Sequence, residues 1–247
     1  MSIRSKHVGG NLKFYDSVTG NTMKVLAPLT FHDHFLGSYL NDYVIAEQTG
    51  AVWTPYEVAN GVAPNLATGA NGIVEFALAA NDEAQSSLIT WGDVLPLSMA
   101  QDLCMEVRAR FTVLPTTGVT VANAFIGLGS AYNAAMDATV TNAWFRWDGT
   151  AICRYESDDA TTDGAAALTG ITNVLNQWYT FRIETWEGLA TVRFFIDGVL
   201  VGTTSMAALA LPLVQPIIGL AKVNPPAVST GVATMQVDYV HIWQNLA

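Results

Sequence analysis

The sequence predicts an all-β fold, a sandwich or barrel, on three observations. From Phe31 onward, run after run alternates apolar and polar residues at period two. Asp148-Gly149 and Asp197-Gly198 each stand between two such runs, and Asp-Gly in that setting is the strongest short-range hairpin signal. No 3.6-residue apolar period is sustained; "SMAALAL" (205–211) is expected to form a helical turn at most. Many strands with turn signals between them point to a sandwich or barrel, and the lack of an internal repeat excludes a propeller.

Residues 1–28 read as a separate lead segment, with residues 29–247 as the sandwich. "NLKFYD" and "TMKVLAP" are expected as two short strands around the turn "SVTGN". The lead carries Arg4, Lys6, Lys13 and Lys24, and no further Lys or Arg occurs before Arg108. A basic arm ahead of an acidic body suits docking on an acidic partner, including a second copy. In the body, "GIVEFALA" (72–79) and "SSLITWG" (86–92) read as strands. "LCMEVRARFTV" (103–113) alternates cleanly, with Met105, Val107, Ala109, Phe111 and Val113 on the core side. "NAFIGLGS", the hairpin at 143–156, "WYTFRIETW" (178–186), the hairpin at 191–202, "QPIIGLAKV" and "TMQVDYVHIWQ" complete the series.

Composition narrows the function classes. The chain has 247 residues, enough for a sizeable core without disulfide staples. Charged residues are 13% of the total, about half the usual ~25%, which suggests outer surface covered by neighbours in an assembly. The net charge of −10 argues against nucleic acid as a partner, since phosphate binding needs clustered cations. Cys104 and Cys153 fit no metal or redox spacing and are expected to be reduced. No apolar run is long enough to span a membrane, and the first residues lack a secretory core, so synthesis and use in a cytoplasm, or release by lysis, is expected.

The run Trp178–Glu184, "FFIDGV" (194–199) and "VDYVHIW" (237–243) resemble the last strands of concanavalin A-like jelly rolls, the superfamily of laminarinase-type glucanases, legume lectins and laminin G-like modules. "FHDHFLG" (31–37), "FIGLGSAYN", "AWFRWDG" and "YESDDATTDG" are similar in phrasing to sandwich proteins of tailed-phage virions. The first resemblance implies a jelly-roll β-sandwich behind a short β arm. The second implies a virion protein that decorates or cements the head, with the major capsid protein and further copies of itself as partners. A glycan-binding module is the alternative.

Candidate site residues are few. Glucanases of the superfamily use a Glu-x-Asp-x-x-Glu strand to aim two carboxylates into a cleft. The closest string here runs from Arg182 through Glu184 to Glu187, with Arg182 in place of the first carboxylate. That retaining pair is missing, so the expectation is no enzyme, no catalytic residue and no cofactor. His32 and His34 share a strand face but lack further metal ligands, and Glu156, Asp158, Asp159 and Asp163 lack a calcium-loop spacing. No metal is expected. Gly127 and Gly129 mark close sheet packing rather than a phosphate loop. Trp144 and Trp178 are expected in the core, and Trp147 and Trp186 at exposed hairpin tips where a sugar could stack.

Overall fold

The computed structural model describes residues 3–8, 11–16, 29–35, 53–58, 62–67, 72–80, 84–116, 122–133, 138–161, 164, 166–186, 191–208, 212–222 and 231–245. Among these residues the strands, in order, are β1 (Ile3–Val8), β2 (Asn11–Asp16), β3 (Leu29–Asp33), β4 (Thr54–Val58), β5 (Val62–Ala67) and β6 (Ile73–Leu78). Next come β7 (Gln85–Thr90), β8 (Leu97–Ser98), β9 (Leu103–Val113), β10 (Asn123–Gly129), β11 (Thr141–Asp148) and β12 (Ile152–Asp159). The series ends with β13 (Ala167–Thr172), β14 (Tyr179–Trp186), β15 (Thr191–Ile196), β16 (Val199–Thr204), β17 (Leu213–Lys222) and β18 (Ala233–Gln244).

Two sheets carry the fold. Sheet I has the order β13-β12-β11-β10-β17-β7-β4, with β8 on β17; sheet II has β16-β15-β14-β9-β18-β6-β5, with β3 on β18. Every strand pair is antiparallel. The lead forms its own two-stranded sheet, but β2 pairs with β1. The expected strand "TMKVLAP" lies outside the described residues, as do Asp163 and Glu187.

The core fills the space between the sheets, as alternation requires. From sheet II, Met105, Val107, Ala109 and Phe111 on β9 meet Met235, Val237, Val240 and Ile242 on β18; from sheet I come Ala124, Ile126, Phe145 and Trp147. Val113 departs from the expected inward set because it sits at the strand end, where it is 39% exposed. The Asp197-Gly198 turn is built as expected, with φ of 49° and 79°, the left-handed pair a type I′ hairpin needs. Both cysteines are buried free thiols. Residues 205–208 form a turn and no helix.

Candidate functional site

The outward side of sheet I is the first surface to consider, and its rows follow from the strand register. One row runs Tyr56, Leu88, Gly219, Phe125, Arg146, Arg154 and Leu168 across seven strands. The next holds Ile217, Gly127, Trp144 and Glu156, and the one beyond it Gln215, Gly129, Asn142 and Asp158. Leu88, Phe125, Trp144, Ile217 and Ala221 form a second apolar cluster, separate from the main core, against which Tyr56 and Tyr132 pack. The two tyrosine rings lie 4.6 Å apart.

Glycine makes this floor possible. A Cβ on Gly127 would fall 2.3 Å from the Ala143 carbonyl oxygen and 2.5 Å from Trp144 Cβ, so only a bare backbone lets Trp144 settle there. Ile217 occupies the equivalent space over Gly129. The expectation of close packing at these glycines therefore holds.

Polar groups stand among the rings without protein partners. Among the described residues, Trp144 Nε1, Asn142 Oδ1, Asn123 Oδ1 and Thr139 Oγ1 are buried and make no hydrogen bond. Leaving such a group unpaired costs ~1–3 kcal/mol, so this buried cluster is a polar layer that weakens sheet I rather than bonding it. At the rim, Arg146 joins two carboxylates: its Nε donates to Asp148 Oδ1 at 2.9 Å and its Nη1 to Glu156 Oε2 at 2.6 Å. Arg154 reaches the other Asp148 oxygen at 3.6 Å. Glu156, singled out in "ESDD", reaches this site's ion network, and Asp158 and Asp159 accept from the Ala160 and Thr161 amides in the turn after β12.

Sheet II presents a different outward surface. Phe195, Arg182, Glu106, His241 and His32 form one row, and Arg193, Glu184, Cys104, Trp243 and Thr30 the next. Arg182 Nε lies 3.0 Å from Glu184 Oε1, so these two candidates form an ion pair on a strand interior. Tyr239 donates to Glu106 Oε1 at 2.9 Å; burial, and then the Glu106 charge, push its hydroxyl pKa well up. The His32 and His34 rings are 4.3 Å apart, and His241 stacks on His32 at 4.8 Å. Burial and the neighbouring His34 lower the pKa of His32. Among the described residues, no group of three or more His, Cys, Asp or Glu side chains is arranged to hold a metal ion.

Two of the tryptophans depart from expectation. Trp147 is fully buried in the main core, and its Nε1 donates to Asn173 Oδ1 at 2.9 Å. Trp144 is buried as expected, though in the second apolar cluster, on the side of sheet I that its parity with Arg146 and Asp148 gives it. Trp178 is half-buried on the outside of sheet II, with the Arg108 and Arg110 guanidiniums 4.8 and 4.5 Å from its ring. The side chain of Trp186 lies outside the described set.

Neither a protein-family model nor a curated sequence matches the chain. Solved structures do share its fold. The catalytic domain of an endo-1,3-β-glucanase (laminarinase) from Thermotoga petrophila aligns with a TM-score of 0.55 at 15% identity, over 88% of this chain and 97% of that one. A β-1,3-glucanase from Mycobacterium marinum gives 0.54 at 17% identity, over 90% and 100%. A family 7 alginate lyase, A1-II′, with bound substrate gives 0.53 at 13%, over 74% and 82%. The chain is an all-β jelly-roll sandwich, the fold that these structures share.

The functional expectation needs correcting on the same finding. A non-enzymatic phage virion protein, as capsid decoration or cement, finds no support: these three solved structures are glycan-degrading enzymes. The resemblance to virion proteins rested on phrasing such as "FHDHFLG", where strand-forming residues recur for packing reasons common to many sandwiches. The expectation of no enzyme rested on the Glu-x-Asp-x-x-Glu spacing, missing from β14 and from every other strand, and a fold shared with enzymes of more than one chemistry shows that the lack of one family's motif is no ground for it.

Proposed function

We propose that this chain is a carbohydrate-active domain that holds a glycan against the outward side of sheet I. The observation that carries the reading is the pair of part-buried tyrosines on that side, Tyr56 and Tyr132, with rings 4.6 Å apart beside the Arg146–Asp148–Glu156 network. Tyr56 and Tyr132 supply the aromatic surface, seated on the buried Trp144 and Phe125, and Arg146 with Asp148 and Glu156 supply the charged rim. Polar groups that fix orientation in a mostly apolar, aromatic site are the usual make-up of a small-ligand pocket. The fold shared with laminarinases and an alginate lyase supports the same substrate class.

Binding tests the reading directly. Laminarin, alginate and mucin O-glycans are titrated into the intact protein by calorimetry and scored for cleavage in parallel. Saturable binding to one of them is expected, weakened about tenfold by Tyr56→Ala or Tyr132→Ala, each of which removes one ring from this side of the sheet. If cleavage occurs, Glu156→Gln is expected to reduce it, as Glu156 is a carboxylate on this face. No saturable binding to any of the three, or binding that both variants leave intact, refutes the proposal.

A further inference from the structure

Tyr56 and Tyr132 reach each other across two intervening strands. Tyr56 stands on β4 and Tyr132 just past the end of β10, with β7 and β17 between them in the sheet order. Three strand spacings amount to roughly 14 Å. The rings nevertheless lie 4.6 Å apart, so the chain after β10 folds back over the outward side of the sheet. The turn after β7, residues 91–94, holds it there. Gly92 sits so close to β4 that a Cβ would fall 2.8 Å from Thr54 Oγ1, two residues before Tyr56. Asp93 Oδ1 accepts from the Tyr132 amide at 3.1 Å. Fully buried Gln215 on β17 donates from Nε2 to Asp93 Oδ1 at 2.6 Å and to the Ser130 carbonyl at 3.2 Å. Its Oε1 accepts from the Trp91 and Asp93 amides.

Asp93 therefore lies at the junction of the two tyrosine-bearing segments. Its backbone is left-handed, with φ of 60°, a conformation that Asp and Asn tolerate better than other side chains do. The residue is exposed. Oδ1 is committed to two N–H donors, whereas among the described residues Oδ2 has no hydrogen-bond or ion-pair partner. An ionised carboxylate only accepts hydrogen bonds, so this oxygen calls for donors, which the hydroxyls of a sugar supply.

The charges around it narrow the ligand class. By strand register Arg146 and Arg154 face outward on sheet I together with Asp148, Glu156 and Asp158. With Asp93 added, four carboxylates stand against two guanidiniums among the described residues of this side. Both arginines already lie against Asp148, and Arg146 also against Glu156. An anionic chain laid here meets net repulsion, and like-charge contacts are a strong means of rejecting a ligand.

We infer that the tyrosine pair takes a neutral glycan and that Asp93 sets this preference. Its Oδ2 accepts from the hydroxyls of a sugar seated at the rings and repels the carboxylates or sulfates of an anionic chain. The inference rests on the reading of this side of sheet I as a glycan site, and it names the class of glycan held there. Through Oδ1 the same carboxylate positions Tyr132, so the two roles belong to different oxygens. Asn in its place keeps the first oxygen and the left-handed turn, and exchanges the second for an uncharged donor.

Calorimetry of the intact chain at neutral pH and low salt tests it on the neutral and charged forms of three backbones. These are laminarin and carboxymethyl-laminarin, carboxyl-reduced alginate and alginate, and desialylated and intact mucin O-glycans. For the backbone that binds, the neutral form is expected to bind about tenfold more tightly than the charged one. Asp93→Asn is expected to close most of that gap at an unchanged Tm, weakening the neutral form and strengthening the charged one. High salt is expected to narrow the gap in the parent, which decides the matter if the variant loses stability. A charged form bound as tightly as its neutral counterpart overturns the inference, as does a gap that neither Asp93→Asn nor salt alters. If Tyr56→Ala weakens binding while Asp93→Asn leaves the gap intact, the glycan site stands and Asp93 has no part in its selectivity. Binding of none of the six removes the site and the inference with it.

Discussion

Replacing Trp147 by Phe removes one N–H from the centre of the sandwich, and its cost can be worked through. The indole is fully buried, and Nε1 donates to Asn173 Oδ1 at 2.9 Å. Asn173 is itself 3% exposed, and its Nδ2 already lacks a partner. Phe leaves the whole Asn173 amide unpaired in a dry site, ~1–3 kcal/mol. The lost half of the ring vacates volume between Phe111 and Phe181, whose centroids lie 5.1 and 5.3 Å from it, for about a further 1 kcal/mol. The sum is roughly 2–4 kcal/mol, or a fall in Tm of roughly 4–16 °C for a chain of this size. Urea denaturation followed by far-ultraviolet circular dichroism measures it, with an unchanged m-value confirming that stability alone moved. Adding Asn173→Leu should return part of the loss, since removing both polar partners is far cheaper than removing one. A loss below about 0.5 kcal/mol would mean that Trp147 sits at an open hairpin tip and that the inward parity of β11 is wrong.

Other outcomes follow from the same geometry. Phe111→Ala, at a position 2% exposed, should cost ~3–5 kcal/mol by denaturant titration; no change in stability would put β9 one residue out of register. Gly127→Ala should destabilise by ~1–3 kcal/mol and weaken glycan binding with it, because the new methyl meets the Ala143 carbonyl and pushes Trp144 off its seat; a variant as stable as the parent refutes the close approach. The raised Tyr239 pKa stabilises the fold fully below the ordinary 10 and is lost as pH climbs through the folded value, so alkaline unfolding should begin above pH 10 and be blunted in Tyr239→Phe. Cys104 and Cys153 are buried with their pKa values raised by desolvation, so a thiol reagent should label neither over minutes in native buffer and both in urea.

Much of the scaffold was legible in the sequence, because period-two alternation and Asp-Gly turns act locally. β9 has the span expected for it, and the Asp197-Gly198 turn its left-handed pair. The candidate site was harder to see. In "AWFRWD" apolar size put Trp144 in the core, where it is buried, but only the parity it shares with Arg146 and Asp148 tells on which side of sheet I. Trp178 stands just before β14, where alternation says nothing about direction, and only the two arginines of β9 beside it show which side it takes. The histidine trio depends on the pairing of β3 with β18, more than two hundred positions apart in the chain. Glu156 and Arg146 likewise meet through a hairpin register that side-chain chemistry alone does not specify.

β18 is the last described strand in chain order, yet it is the spine of sheet II, paired with β9 along its length, with β6 toward one end and β3 toward the other. On the ribosome, β3, β6 and β9 therefore emerge long before the strand that joins them. Until residues 233–244 arrive, β6 and β9 expose unpaired edges rich in Val, Ile, Met and Phe, the kind of edge that templates association between nascent chains. Closing so many distant contacts in one step should also make refolding slow, on the millisecond-to-second scale of sandwiches dominated by non-local pairing. Expression yield should thus respond to chaperone supply and temperature during synthesis more than the equilibrium stability of the finished sandwich would suggest.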